Sequence, residues 1–417
     1  MVAVGVVGAA LVAWWVPSEA ELAARLSAEF EQRTGVGLTV GGLHWSVFPV
    51  ARVVLEDVAT VQDEPIRIRR LEVNPQLRPL LSRQLQVDSV SADGVALPRE
   101  SVRAFRGMAV TPSSAGGNWT LAPVPVDQVR FTELTWVDRS DIALAYDGRI
   151  DFDPQWRPRI AEASRHGVTP PARLRLEREG DADRWKTLID IGGGTWNGVS
   201  ELATQKDGSL LFTAHLAPRN VDIELLMQAF GRRTPVAGKA SGQTEVRAVG
   251  DSLGELWRQA TTRTRFSVTP ATLTRFDLAK AIQTAGTSRG GRTPLDELTG
   301  TLDTEGTDDG IRFRYSGLKA RSGVLTASGS ASIYHRAIDG EVAVDLVDGV
   351  VGVPLKVSGT LDDPTLSLTG GALTGAAIGT AVLPGVGTAI GARIGQQVER
   401  IFGGDEKKPA PKGPRAP

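Results

Sequence analysis

The sequence predicts a mainly β protein built of antiparallel strands that each carry one apolar and one polar face. From Gly37 onward, short apolar runs alternate with polar residues and are bounded by Gly, Pro, Asp and Asn. Two-faced strands are typical of antiparallel sheets with one wetted side, whereas parallel strands covered by helices are apolar throughout. With 41% hydrophobic and 23% charged residues, the composition is that of a folded chain rather than a disordered one.

Residues 1–17 are predicted to be a membrane anchor. Val2 to Val16 is an unbroken stretch of apolar and small residues. No basic residue precedes it, which argues against a cleaved export signal, and its closing tryptophan pair is typical of a membrane interface. The stretch is shorter than the ~20 apolar residues of a usual bilayer crossing, so a cleaved signal and a buried core helix stay open as alternatives. The anchoring residues are Val6, Val7, Leu11, Val12, Trp14 and Trp15.

Helices are predicted at only a few places between the strands. The first runs from Ser18 to Arg33, with Ser18 as N-cap, Glu21 completing a capping box, and Gly35 ending it. A second begins at Asn220 or Asp222 and continues through Phe230, and a third covers about Phe276 to Ala285.

Strand segments of about three residues each are predicted throughout the middle of the chain. Examples are Leu71-Val73, Leu85-Val87, Val95-Leu97, Val129-Phe131 and Leu134-Trp136, each next to polar residues that would face water. Because strands add every ~4.8 Å, many of them make a long sheet whose apolar side suits acyl chains if it curls into an open groove. The residues assigned to this groove are Ile66, Ile68, Leu85, Val87, Phe131, Ile142, Leu144, Phe212, Phe313 and Val344.

The carboxyl-terminal glycines recur every four residues in two sets separated by Pro384-Gly385. Each set lies on one helix face and lets another backbone approach closely, which predicts a hairpin of two short helices over residues 370–403. A membrane-touching or self-associating hairpin and a soluble cap on the β structure are equally consistent with the pattern. The tail, residues 404–417, is predicted to be disordered. The packing glycines are Gly371, Gly375, Gly379, Gly387, Gly391 and Gly395.

Two sets of residues resemble the AsmA family. Near the amino terminus they are Thr34-Gly35, Val40, Gly42, Trp45-Ser46-Val47-Phe48-Pro49, Leu55-Glu56-Asp57-Val58, Pro79-Leu80-Leu81 and Gly117-Asn118-Trp119. Near the other end they are Phe276-Asp277-Leu278, Thr293-Pro294-Leu295, Leu298-Thr299-Gly300, a Ser328-Gly329-Ser330 turn and the stretch from Pro354 to Pro364. The likeness gives an AsmA-like amino-terminal part at 18–119, a middle β region at 120–241 and an AsmA-like β module at 242–369.

The resemblance implies an elongated, curved antiparallel sheet with an open groove. It also implies a protein of the bacterial inner membrane, with a single amino-terminal anchor and its bulk in the periplasm. The family is linked to outer-membrane assembly, protein targeting to membranes and phospholipid movement. Expected partners are phospholipid or other acyl-chain cargo, the inner membrane and outer-membrane assembly components. No catalytic residues come with the resemblance.

Other chemistries find little support in the sequence. Net charge is −1 with no basic block, so nucleic-acid binding has no evident electrostatic source. Cysteine is absent, which removes thiolate ligands and nucleophiles. His44, His166, His215 and His335 are scattered without metal-ligand spacing, so structural or exposed roles are expected for them. No cofactor, metal or catalytic residue is predicted.

Three functional hypotheses follow. The favoured one is a non-enzymatic lipid conduit or carrier that holds apolar cargo in the β-groove. The second is a periplasmic scaffold or chaperone-like factor for outer-membrane proteins, which would use exposed sheet edges. An unrecognised hydrolase is the least favoured, because it needs a polar cluster that the sequence does not present.

Overall fold

The computed structural model describes residues 18–368, with gaps at 83, 104, 106–119, 138–141, 155–156, 252, 279, 281–289, 308, 324, 347–352 and 362. Most described residues lie in 21 strands, which confirms the predicted mainly β fold. The predicted anchor, the glycine hairpin with its tail, and most of the third predicted helix lie outside the described residues. Among those described, no helix combines the length and the apolar character needed to cross a bilayer.

The chain divides into two compact units. The first unit comprises residues 1–193 and 225–232, and the second comprises 194–224 and 233–417. The division therefore falls at Gly193, in the middle of the β region predicted for residues 120–241.

The first unit contains three helices and nine strands. The helices are α1 (Glu19–Thr34), α2 (Leu77–Leu81) and α3 (Arg99–Arg103). The strands are β1 (Leu38–Ser46), β2 (Arg52–Thr60), β3 (Arg67–Pro75), β4 (Gln84–Leu97), β5 (Thr120–Val137), β6 (Ala143–Phe152), β7 (Pro158–Arg165), β8 (Arg173–Arg178) and β9 (Arg184–Ile191).

These nine strands pair in chain order. All described pairs are antiparallel except β4 with β5, which run parallel. The prediction of purely antiparallel strands is wrong at this one step. A parallel pair needs a connection of a dozen or more residues, and the sequence between Leu97 and Thr120, which includes α3, is long enough for one.

The predicted first helix is confirmed to within a residue. The Ser18 hydroxyl accepts from the Glu21 backbone N–H while the Glu21 carboxylate accepts from the Ser18 N–H, so the capping box is complete. At the other end, Gly35 adopts φ 69°, which a residue with a side chain rarely adopts. The apolar side of α1, at Leu22 and Ala23, packs on a cluster of Leu43, Leu55 and Val58 from β1 and β2.

Several predicted short strands merge into long ones. The segments Leu85-Val87 and Val95-Leu97 both belong to β4, and Val129-Phe131 and Leu134-Trp136 both belong to β5. The intervening polar residues form irregularities within a strand instead of turns, as the positive φ of Gly94 (63°) and Glu133 (51°) shows.

The second unit contains twelve strands. They are β10 (Gly194–Thr204), β11 (Leu210–Arg219), β12 (Val221–Asp222), β13 (Val236–Gly250), β14 (Thr261–Leu273), β15 (Thr293–Leu295), β16 (Glu297–Thr307), β17 (Gly310–Arg321), β18 (Leu325–Tyr334), β19 (Ala337–Leu346), β20 (Val353–Gly359) and β21 (Pro364–Leu368). All described pairings are antiparallel, with β12 and β15 as short additions to β13 and β14.

Two further helices interrupt these strands along the chain, α4 (Ile223–Ala229) and α5 (Leu253–Arg258). Most of α4, from Leu225 onward, belongs to the first unit. Helix α4 matches the second predicted helix, and Gly231 at φ 65° follows its end as expected. The predicted turn at Ser328-Gly329-Ser330 is wrong, because these residues lie inside β18. Gly329 is needed there for close approach, since a Cβ would collide with the Glu341 carbonyl of β19.

The main core of the second unit gathers side chains from distant strands. Leu325, Val344 and Leu355 have no exposed surface and pack in one cluster with Val268 of β14. Phe276 and Leu278, from the chain after β14, belong to the same cluster. This end of the sheet therefore has its apolar side covered.

Candidate lipid-binding faces

In the first unit, one row of paired residues crosses all nine strands without a charge. Residues that pair across neighbouring strands point to the same side of a sheet, so a row of such residues lies on one face. This face is called the first apolar face. Its row consists of Leu43, Leu55, Leu71, Ala92, Phe131, Gly148, Ala163, Leu174 and Ile189.

A second row on the same face lies two residues along each strand. It begins at Trp45 on β1 and ends at Thr187 on β9, its only polar member. Between them stand Val53, Val73, Val90, Val129, Ile150, Ala161 and Leu176. The alternation noted in the sequence thus adds up, strand by strand, to an uncharged face. At β1 and β2 this face is covered by α1, since Leu43 and Leu55 are buried in the cluster that Leu22 and Ala23 pack against.

Charged side chains appear on the first apolar face near the ends of its later strands. Arg165 lies over the Tyr146 ring at 4.8 Å and donates from Nε to the Ala229 carbonyl at 2.8 Å. Arg178 lies over the Trp185 ring at 5.3 Å, and its side chain is 3% exposed. Arg178 also forms ion pairs with Asp153 and Asp183. Stacking on the aromatic rings and, for Arg178, these carboxylates make the charges compatible with an apolar neighbourhood.

The opposite face of the first unit carries interleaved ions. Glu162 on β7 pairs with Arg149 on β6 at 3.3 Å and with Arg175 on β8 at 2.7 Å. Closer to the amino terminus, Arg70 pairs with Glu56 at 3.0 Å. Each pair contributes little stability because it is partly exposed, but together they mark this face as the wetted one.

The second unit repeats the arrangement. A row from Gly198 on β10 to Leu366 on β21 contains no charged residue, and the side that carries it is called the second apolar face. Its members are Gly198, Leu216, Thr244, Thr264, Leu302, Tyr315, Ala331, Gly340, Val357 and Leu366. A neighbouring row is Ser200, Ala214, Val246, Thr262, Thr304, Phe313, Ile333 and Ile338.

The polar groups on the second apolar face bond to each other. The hydroxyls of Thr244 and Thr264 lie 3.0 Å apart, and those of Thr262 and Thr304 lie 2.7 Å apart. Burial raises the pKa of the Tyr315 phenol, whose ring meets Phe266 edge-on at 6.5 Å between centroids. Thr244 is 3% exposed, and its hydrogen bond to Thr264 satisfies its hydroxyl within the sheet.

The other side of the second unit is charged. Arg263 donates to Asp303 at 2.7 Å, and Glu305 accepts from Arg312 at 3.4 Å and Arg314 at 3.2 Å. These residues also line a shallow depression in the surface. Since its charges are paired with one another, the depression is poorly suited to apolar cargo.

The predicted groove residues fall into two classes. Val344 is fully buried, and Val87 and Leu144 are nearly so at 6% and 8% exposure. These three are packing residues that cargo cannot reach in this structure, because neighbouring side chains already cover them. The half-buried class is Ile66, Ile68, Phe131, Ile142, Phe212 and Phe313, and the side chain of Leu85 lies outside the described residues.

The rows also include apolar residues that the groove prediction omitted. Leu43 and Trp45 on β1 alternate with the polar His44 and Ser46, but on β2 the apolar Val54 lies between Val53 and Leu55. Alternation could therefore have identified the β1 pair but not the β2 pair. The pairing register places them level with Phe131 and Val129, which the sequence alone does not show.

One histidine belongs to a polar cluster. His166 Nδ1 lies 2.8 Å from Asp147 Oδ2, and its Nε2 lies 3.6 Å from Glu133 Oε1. Glu133 in turn pairs with Arg69 at 3.0 Å. The Asp147 carboxylate, by hydrogen bond and charge, raises the pKa of His166. No group of three or more His, Asp or Glu side chains suited to a metal is found within the described part of the chain.

No family model, curated protein or solved structure matches the chain. The likeness to the AsmA family stays a prediction that rests on the residues quoted for it. Function is therefore argued from the two apolar faces themselves.

Proposed function

We propose that the protein is a non-enzymatic envelope protein that holds the acyl chains of phospholipid on its apolar faces, in phospholipid transport and outer-membrane biogenesis. It is held at the inner membrane by residues 1–17, with its bulk in the periplasm. The single observation that carries the proposal is the uncharged row that crosses every strand of the first unit, with the ion pairs of Glu162 to Arg149 and Arg175 on the opposite side.

The free energy of acyl-chain binding favours an extended row of similar sites over a single pocket. Each methylene moved from water to an apolar surface contributes ~0.8 kcal/mol. Because side chains of similar character repeat from strand to strand, many positions of a chain along the row have similar free energy. Similar free energies permit sliding, which a conduit requires and a tight single site prevents.

The proposal predicts that phospholipid co-purifies with the full-length protein. Phe212→Asp places a charge on the second apolar face, where Phe212 is half-buried, and should reduce the bound lipid measured by mass spectrometry after gentle extraction. Thr213→Asp is the matched control, since the next residue of β11 points to the charged side. Equal lipid in both variants, or none in the wild type beyond the detergent background, would contradict the proposal.

A second candidate function is a periplasmic scaffold or chaperone-like factor that regulates outer-membrane protein assembly. The observation that favours it is strand β1, whose described residue-by-residue pairing is with β2 alone. An open edge can accept another strand by main-chain hydrogen bonds. Cross-links from β1 to unfolded outer-membrane proteins would support this role, and cross-links to lipid alone would reject it.

A further inference from the structure

We infer that the loop between β1 and β2 is a second membrane contact, which inserts into the interfacial zone of the bilayer beside the amino-terminal anchor. The loop presents Val47, Phe48, Pro49 and Val50, all exposed. Phe48 is 89% exposed, the highest value among the exposed large hydrophobic residues, with Val50 at 53% and Val47 at 47%. The inference rests on the anchor of the proposed function and adds a residue-level contact to it.

The loop is a continuous uncharged surface. From Ser46 to Ala51 the sequence has no ionisable side chain, and Ala51, which ends this stretch, is buried. Contiguous exposed apolar residues on a protein surface typically mark a binding site. A phenylalanine held at the tip of a hairpin with valines on both sides matches the apolar side chains that interfacial proteins place below the headgroups.

The position of the loop identifies the bilayer as its occupant. His44 Nδ1, near the end of β1, lies 3.5 Å from Glu19 Oε2 at the start of α1. Phe48 follows His44 by four residues, so their Cα atoms are at most about 14 Å apart. Glu19 in turn comes two residues after Pro17, where the apolar stretch of the sequence ends. The loop therefore lies at the end of α1 from which the chain leads into the predicted anchor.

The other end of the same hairpin provides an internal control. Val61 is 64% exposed, and its N–H bonds to the Gly37 carbonyl at the start of β1. Nine residues of β1 separate the two ends, a distance of about 30 Å at the rise of a strand. A loop that enters the interface leaves Val61 in water, well beyond the headgroups.

The absence of cysteine permits a direct test. Val47→Cys and Val61→Cys, each labelled with an environment-sensitive fluorophore, are reconstituted as the full chain into phosphatidylethanolamine and phosphatidylglycerol vesicles that contain a shallow doxyl-lipid quencher. The label at position 47 should lose most of its emission and shift to the blue, while the label at 61 should keep the emission of the lipid-free sample. Adding Phe48→Asp to Val47→Cys should restore the emission at position 47.

Three results would overturn the inference. In the first, the protein floats with the vesicles but the quencher leaves the emission at position 47 unchanged, as expected if a protein partner occupies the loop. In the second, the labels at 47 and 61 are quenched equally. In the third, Phe48→Asp does not relieve the quenching at position 47. Leu11→Cys, labelled in the same way, reports the anchor separately. Quenching at position 11 with none at 47 therefore rejects the loop contact alone, while failure to bind lipid cargo rejects the proposed function alone.

Discussion

Substitution of Leu325 probes how tightly the core of the second unit is packed. It has no exposed surface and packs with Val344 and Leu355. Leu325→Ala should lower the free energy of unfolding by about 2–5 kcal/mol, because the cavity it leaves adds to the lost burial. Urea unfolding measures this. Ile311→Ala, at a side chain that is 54% exposed, should cost less than about 1 kcal/mol, and equal losses in both variants would contradict the burial described.

The ionisation of His166 should make the stability of the protein depend on pH. Its pKa is raised chiefly by the hydrogen bond and charge of Asp147, so the folded state favours the charged imidazolium. The resulting stabilisation is fully present below the unfolded pKa of about 6.5 and is lost as the pH rises through the raised value. Because the cluster is exposed, the effect on total stability is small, and the pKa itself is the quantity to measure.

Asp147→Asn should lower the pKa of His166 toward its usual value, since the amide keeps an oxygen acceptor but loses the charge. Titration of the histidine ring signals by NMR in the two proteins gives the shift. Asp309→Asn, in the other unit, should leave His166 unchanged. A pKa that is the same with Asp147 and with Asn at this position would show that the contact does not form in solution.

Residue burial is also where the sequence was least informative. Alternation correctly placed Phe131, Phe212 and Val344 on apolar sides of their strands, but it could not separate the buried Val344 from the half-buried phenylalanines. The difference depends on which distant segments cover each residue, and Val344 is covered by side chains from other strands of its unit. No local pattern encodes such contacts.

At the scale of elements, the hairpin joining β18 and β19 is strained. Its two turn residues, His335 and Arg336, both have positive φ, 49° and 66°. A side chain in this region costs roughly 1–2 kcal/mol, whereas glycine adopts it freely. Arg336→Gly should therefore stabilise the second unit by about 1 kcal/mol in urea unfolding. Arg321→Gly, at the end of strand β17, should destabilise it, and a loss of stability in both would contradict the turn geometry.

Elements defined by local chemistry were the most predictable. The first helix is fixed by Ser18, Glu21 and Gly35, whose capping roles depend only on neighbouring backbone groups. The parallel pairing of β4 with β5 and the merging of short runs into long strands were not predicted. The parallel pairing depends on which strand edge the returning chain meets. The merging depends on polar residues such as Glu133, whose sequence is equally consistent with a turn and with an irregularity inside a strand.

At the scale of the whole molecule, each unit combines an uncharged face with a face of paired ions. The first apolar face has Leu43, Leu55 and Phe131 level with one another, although more than 70 residues separate Leu55 from Phe131 in the chain. The sequence predicts the two-sidedness of every strand, but the alignment of apolar sides into rows comes from the pairing register. These rows connect the fold to the proposed handling of lipid.

Photo-crosslinking from positions 212, 213, 215 and 216 of β11 in the membrane-bound protein tests most directly whether lipid contacts the uncharged side of the strands. Phe212 and Leu216 lie on the second apolar face, whereas Thr213 and His215 point to the charged side. A photoreactive amino acid should yield phospholipid adducts at 212 and 216 and none above background at 213 and 215. Adducts at all four positions, or at none of them, would contradict the claim that the uncharged side of the strands carries lipid.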